Sequence, residues 1–285
     1  MNMLMPVLAT NDGQQIQVKP TTILINIMQK RHKDTKRYFN EQVYTTENFV
    51  IPFINRVKPV DASLKVFEIG CGEGGNLKPF LDKGCTCVGV DLSNGKIERG
   101  KEIYGGAQGI ELICKDIYDM PDYHGKFDIL IIRDVIEHIH DQDKFLSFIK
   151  KFLNRDAVVF VAFPPWQNPF GGHQQMCRNK ILSMLPFFHL LPQSLYRAVL
   201  KLFGESEITI SGLLEIKETG ISLERFEKLC LKNEYSVKSR ILYFINPNYQ
   251  IKFGLKPRET YKLLNYIPYL KNFYNTCGYY LISEQ

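Results

Sequence analysis

The chain has 285 residues, 45% of them hydrophobic and 23% charged, with a formal net charge of +6. These proportions exclude a long disordered chain, a collagen-like repeat and a coiled coil, and so mild a charge does not call for nucleic acid. The length admits one large α/β domain with insertions or two small domains. The seven cysteines are scattered without a C-x-x-C pair, which argues against a disulfide framework and a structural zinc. Met1 to Thr10 has no basic start, and the longest apolar stretch, Ile181 to Leu191, is too short to span a bilayer. The expected compartment is the cytoplasm.

Residues 1–60 read as an N-terminal helical extension. Their basic cluster, Lys30, Arg31, Lys33, Lys36 and Arg37, reads as a solvated helix face rather than an RNA site. Apolar spacing through Val43, Phe49, Val50, Phe53, Ile54 and Val57 predicts a helix over 41–57. From residue 63 the pattern changes. Five short runs, 64–70, 86–91, 109–114, 126–132 and 156–163, are apolar on both faces and alternate with helical segments, as central parallel strands covered by helices do. Asp141 is placed to cap the helix that follows the fourth run, with Phe145, Leu146, Ile149, Phe152 and Leu153 on its inner stripe.

Pro164-Pro165 ends the fifth run, and an insert follows to about residue 215. Ser222 then caps a further helix, residues 235–245 read as a strand, and a second insert over 246–274 leads to a final apolar run from Cys277 to Ile282. The two late strands, joined without a clear crossover helix, suggest an antiparallel pair at one sheet edge.

The sharpest signal is the loop Glu68-Ile69-Gly70-Cys71-Gly72-Glu73-Gly74-Gly75 between a buried strand and a helix. Gly70, Gly72 and Gly75 satisfy G-x-G-x-x-G, and Asp91 stands where a ribose-binding acid belongs, so the loop by itself fits a nicotinamide enzyme. Glu68 and Glu73 would serve a pyrophosphate poorly and a cationic ligand well. Asp116, closing the third strand, adds another carboxylate on the same edge.

Four segments in order, VFEIGCGEGGN (66–76), VGVDLS (88–93), CKDIYD (114–119) and FDILIIRDVIEHI (127–139), resemble the motifs of class I S-adenosylmethionine-dependent methyltransferases. The resemblance covers 64–163 strongly and 222–283 loosely. It implies an α/β, Rossmann-like, seven-stranded, mostly parallel sheet with helices on both faces, an antiparallel strand at one edge and a helical lid inserted over 164–215, all within a domain spanning 61–285. It also implies S-adenosylmethionine as cofactor and S-adenosylhomocysteine as product. Gly70, Cys71 and Gly72 would lie under the methionine moiety with Glu68 ordering that end. Asp91 would take the ribose hydroxyls, Leu92 would pack on adenine, and Asp116 and Ile117 would hold the adenine. Arg133 would flank the sulfonium, its side chain aimed at the cofactor carboxylate.

Candidate acid–base groups cluster in RDVIEHIHD: Asp134, Glu137, His138 and His140, with His173 supplied by the Gly171-Gly172-His173 loop. Glu137, His138 and His173 are the expected catalytic residues. The pattern D-x-x-E-H at 134–138 is similar to the E-x-x-E-H of some metal-assisted O-methyltransferases. Its first acid is aspartate, however, and Gly220-Ile221-Ser222 stands where those enzymes carry a later histidine, so no metal is expected. His173 could substitute only if its loop folds back. His32, His124 and His189 read as surface or packing residues.

Trp166, among prolines and glycines, reads either as an aromatic wall of the acceptor pocket or as core, and 181–203 as a lid, a subunit contact or a peripheral membrane contact. The expected reaction is methylation, at oxygen in preference, of a small-molecule or lipid- or sugar-linked acceptor, with nucleic acid not expected and oligomeric state open. A nicotinamide oxidoreductase and a non-catalytic cofactor-binding protein are the alternatives.

Overall fold

Adjacent residues of the central strands enter opposite hydrophobic clusters, and this alternation is what builds the core. Phe67, Leu130, Val159 and Tyr280 face one side of the sheet and Val66, Ile129, Phe160 and Tyr279 the other, all essentially solvent-free. A strand buried on both faces must be apolar at every position, which is why the runs are continuous rather than alternating. The computed structural model describes residues 35–285, together with the backbone of two short antiparallel strands, Val7–Ala9 and Gln15–Gln17. Lys30, Arg31, His32 and Lys33 lie outside the described residues, as does most of the 1–10 stretch.

Strands of the main sheet are numbered β1 (Lys65–Ile69), β2 (Thr86–Asp91), β3 (Ile110–Cys114), β4 (Phe127–Arg133), β5 (Leu153–Phe163), β6 (Tyr235–Ile245), β7 (Arg258–Glu259) and β8 (Cys277–Glu284). Their order is β3-β2-β1-β4-β5-β8-β6-β7. The first five are mutually parallel. The antiparallel part occupies one side, with β8 running between β5 and β6 and β7 closing the edge against β6. The sheet thus has eight strands among the described residues where seven were expected. The extra one, β7, is two residues long and too short to leave a periodic trace.

Helix α1 (Thr35–Thr45) begins six residues before the expected start, passes through a π-turn (Thr46–Val50) and ends as α2 (Ile51–Ile54). Pro52, within the first residues of α2, has no N–H to continue the regular ladder, which accounts for the break in pitch at that point. Val57, expected on the inner stripe, lies past the helix end and is exposed. Further helices are α3 (Lys78–Asp82), α4 (Asn94–Tyr104) and α5 (Gln142–Ile149). Asp141 caps α5 by accepting from Lys144 N at 3.0 Å, as its sequence context predicts.

The first insert folds into α6 (Lys180–Met184), α7 (Gln193–Leu202) and α8 (Glu207–Thr219) around a cluster of its own that includes Leu182, Phe188, Tyr196, Leu200, Ile210 and Leu213. The segment 181–203 is two-sided. Those residues turn inward while Ile181, Met184, Leu195 and Leu202 stay exposed. After α9 (Leu223–Lys232), capped by Ser222, the second insert carries α10 (Asn248–Phe253) and α11 (Lys271–Tyr274).

Helix α1 is pressed onto the glycine loop. A Cβ at Gly75 would come within 2.6 Å of Gln42 Oε1 and 2.9 Å of the Phe39 carbonyl oxygen. Gly75→Ala is therefore expected to push α1 off the loop, costing about 1–3 kcal/mol in urea denaturation and exposing residues 35–54 to protease. Wild-type stability and cleavage pattern in that variant would show that α1 does not bear on the loop.

Candidate functional site

The glycine loop leaves β1 with Gly70 at φ +72°, and a Cβ there would collide with Val135 at 2.6 Å, so both backbone conformation and space select glycine. Gly70 N and Cys71 N both donate to Val90 O on β2, at 2.8 and 3.0 Å. Asp91 at the end of β2 locks the same loop: one carboxylate oxygen accepts from Gly72 N at 2.9 Å and the other from Ser93 N at 2.8 Å. The residue is 7% exposed. Leu92 beside it is exposed. Asp116 caps the short turn 117–119 by accepting from Tyr118 N, with Ile117 buried behind it. Gly70, Cys71, Gly72, Asp91, Leu92, Asp116 and Ile117 therefore all sit at the carboxyl ends of β1, β2 and β3, where ligands bind in open α/β sheets.

Glu68 is 1% exposed. One carboxyl oxygen accepts from Asn76 Nδ2 at 2.5 Å, and the other has no partner among the described residues. Burial pushes its pKa up to about 8, against the lesser effect of the Asn76 hydrogen bond and of Arg133. Asn76 is a hub: its Oδ1 accepts from Thr46 Oγ1 at 3.0 Å and from Arg133 Nη1 at 2.7 Å. The other Arg133 Nη reaches Asn248 Oδ1 on α10. Arg133 thus lies at the methionine end of the expected pocket, paired with two side-chain amides and 4.0 Å from Asp134. Tyr38 of α1 joins the group, its hydroxyl pKa raised by burial and by Asp134. Tyr38, Thr46 and Asn248 carry no sequence signal, because each is an isolated polar residue whose role comes only from distant partners. Glu73, read from sequence as part of a cation-seeking surface, is paired with Arg99 at 2.8 Å. With Glu68 also holding its proton, the negative charge inferred from these two acids is largely offset.

The second half of the site is a turn after β4. Asp134 takes φ +53°, an uncommon conformation outside glycine, and leads into a short 3₁₀ turn over 136–138. Glu137, 4% exposed, has neither carboxyl oxygen partnered among the described residues, and burial together with Asp134 raises its pKa well above the carboxylate range. His138 is lowered to about 3 by burial and by His173, so its ring is neutral. His173, at φ +53°, is lowered by burial, with Asp134 opposing. The His173 loop does fold back: the two imidazole centroids are 5.1 Å apart, and one donor atom from each of Glu137, His138 and His173 lies within 4.8 Å of the others. No metal was expected from the sequence, yet two neutral imidazoles and an unpartnered carboxyl form a donor set that suits a divalent cation.

Helix α8 backs this turn. Thr219 Oγ1 donates to Glu137 O at 2.6 Å and Gln142 Nε2 donates to Thr219 O at 2.7 Å. His140, a candidate from sequence, is exposed and turned to Glu215 at 3.1 Å, away from the cluster. Trp166 is half-buried and packed, with its ring against Gly220 and edge-on to His189 at 4.6 Å. His189 is fully buried between Gln174 and the Trp166 carbonyl, a packing residue as expected. His124 packs against Phe148 and Phe152.

The family described as "Methyltransferase domain" matches residues 67–161. A protein named ubiquinone biosynthesis O-methyltransferase from Bartonella bacilliformis is 32% identical over 103 residues, 35% of this chain and 41% of that protein. An uncharacterised protein of Rickettsia prowazekii is 33% identical over 111 residues, 36% of this chain and 44% of that one. The chain thus spans less than half the length of either curated relative. Among solved structures, PKMT2 of Rickettsia typhi in complex with AdoHcy superposes with a TM-score of 0.54 at 21% identity, over 85% of this chain and 54% of that one. A Thermotoga maritima protein described as a possible histamine N-methyltransferase superposes with a TM-score of 0.53 at 13% identity, over 91% and 99%. Residues 67–161 thus match a methyltransferase domain, and the superpositions show the Rossmann-like fold of S-adenosylmethionine-dependent methyltransferases.

The buried Glu68 carboxyl supplies a pH test. A glutamate ordinarily releases its proton near 4.5, while the folded chain holds it to about 8. Burial is therefore harmless below the unfolded value, and stability falls as pH rises from there through the folded one. Glu68→Gln removes this loss, so its stability relative to wild type should climb between about pH 5 and 8 in urea titrations. A constant difference across that range would contradict a raised Glu68.

Proposed function

We propose that the chain transfers a methyl group from S-adenosylmethionine to a hydroxyl of a small-molecule or lipid- or sugar-linked acceptor. The observation that carries this reading is the meeting of Glu137, His138 and His173 beside a glycine loop braced by Asp91. The matched methyltransferase domain decides between the two ligands that fit G-x-G-x-x-G, and the O-methyltransferase names of relatives support oxygen as the acceptor atom.

Bound S-adenosylmethionine supplies an electrophilic methyl group on a positively charged sulfur. Several residues fit it. The unpartnered Glu68 oxygen offers a hydrogen-bonding group at the methionine end, together with Gly70, Cys71, Gly72 and the Arg133 guanidinium, while Asp91, Leu92, Asp116 and Ile117 serve the ribose and adenine. The protein's own task is to hold the acceptor oxygen in line with the methyl group and to exclude water. The first insert, whose α8 backs the histidine turn, serves as the lid, and Trp166 and His173 line its inner side.

A hydroxyl must lose its proton for transfer. His138, whose ring is neutral, is positioned to take it, with His173 and Glu137 beside it. A second reading is favoured by the two unpartnered Glu137 oxygens: Glu137, His138 and His173 would hold a divalent cation, whose charge lowers the pKa of a coordinated hydroxyl.

His138→Ala is expected to lower kcat by about 10² to 10⁴ while leaving S-adenosylhomocysteine affinity within error. Labelled methyl transfer, measured with and without a chelator, separates the two roles. Turnover lost to chelation and restored by magnesium supports the cation, and turnover indifferent to chelation supports the base. Full activity of His138→Ala would contradict both.

A further inference from the structure

The apolar residues left exposed are concentrated. Of the twenty-five large hydrophobic side chains exposed among the described residues, ten lie within 253–273 of the second insert. They include Leu263 and Tyr261, each 83% exposed, Tyr266 at 79% and Tyr269 at 66%. Phe187 of the first insert joins them, its ring centroid 6.3 Å from that of Phe273. Monomeric soluble proteins rarely leave such a contiguous patch to water.

The patch is held from beneath. Leu223 N donates to Asn272 Oδ1 at 2.8 Å, Asn272 Nδ2 to Glu224 at 2.6 Å, and Tyr269 N to Glu224 at 3.0 Å. Lys271 is buried and bridges to Glu224 at 3.5 Å. With its polar groups spent on α9, this end of the insert presents its tyrosines and leucines outward on an anchored base. Around them the charge is one-sided. Lys252, Lys256, Arg258 and Lys262 stand against a single acid, Glu259, over 251–270. Lys256, Arg258 and Lys262 are exposed and form no ion pair among the described residues.

Aliphatic side chains interleaved with tyrosines, rimmed by unpaired cations, match the chemistry of an anionic bilayer surface. Acyl chains take the leucines, the headgroup layer takes the amphipathic tyrosine rings, and phosphates take the lysines and arginine. A spanning mode is not involved, since no helix among the described residues is long and apolar enough to cross a membrane. We propose that residues 253–273, with Phe187, form a peripheral docking surface for anionic lipid membranes. The surface lies on the second insert rather than on 181–203, for which a membrane contact was one of three readings, and it stands whether or not the methyl-transfer reading holds. The insert also begins with the Asn248 that bonds Arg133, so docking would hold the site close to the bilayer.

The test is co-sedimentation of the full chain with vesicles of phosphatidylcholine alone or mixed with phosphatidylglycerol. Binding to the mixed vesicles, weakened by salt and at least about tenfold tighter than to phosphatidylcholine, is the expected result. Two variants in exposed residues, L263S/Y266S/L270S and K256E/R258E/K262E, should each lower binding at least about tenfold while retaining the wild-type circular dichroism spectrum. Absence of vesicle binding, or wild-type binding by either variant, would overturn the proposal. So would sedimentation of the wild type as a dimer that L263S/Y266S/L270S dissolves, which would make the surface a contact between copies.

Discussion

One carboxyl group buried at the end of β1 constrains everything around the ligand loop. Glu68 is surrounded by apolar strands, and a charged acid there would be costly, so it keeps its proton and takes a neutral partner, Asn76. Asn76 in turn must satisfy its own oxygen, which draws in Thr46 from the N-terminal helical run and Arg133 from β4. Arg133 also donates to Asn248 of the second insert. Four segments distant in sequence are thereby joined at the methionine end of the expected pocket, and none can move away without stranding a buried polar group. The glycine loop is rigid for the same reason on its other flank, where Asp91 holds Gly72 and Ser93 together.

The parts of this arrangement that are local in sequence were legible in it. Continuous apolar runs placed the strands to within a few residues, Asp141 and Ser222 marked helix starts, and the spacing of Gly70, Gly72 and Asp91 marked the ligand edge. What depends on long-range partners was not legible. Thr46, Tyr38 and Asn248 look like ordinary surface polar residues until the fold brings them to Asn76 and Arg133. The strand order, with β8 between β5 and β6, follows from packing of late elements that no periodicity encodes. The return of the His173 loop to His138 depends on Trp166 seating against Gly220 and His189, a contact set by close backbone approach rather than by any motif. Conversely, the negative charge expected of Glu68 and Glu73 is reduced by burial of the first and by Arg99 beside the second, because a carboxyl's charge is set by its surroundings rather than by its letter.

The two inserts give a common scaffold its individuality. A glycine loop on a parallel sheet can present a cofactor, but the acceptor must be chosen by whatever closes over the carboxyl edge. Here the first insert backs the Glu137–His138 turn through Thr219 and supplies His173, whereas the second ties into the site through Asn248 and carries an outward apolar face on a cationic rim.

The most direct measurement is calorimetric titration of the chain with S-adenosylhomocysteine, with reduced nicotinamide cofactors titrated in parallel. The account predicts binding of S-adenosylhomocysteine in the micromolar range and no heat from the nicotinamides. Nicotinamide binding with no response to S-adenosylhomocysteine would contradict it, since the same glycine loop would then serve a dinucleotide.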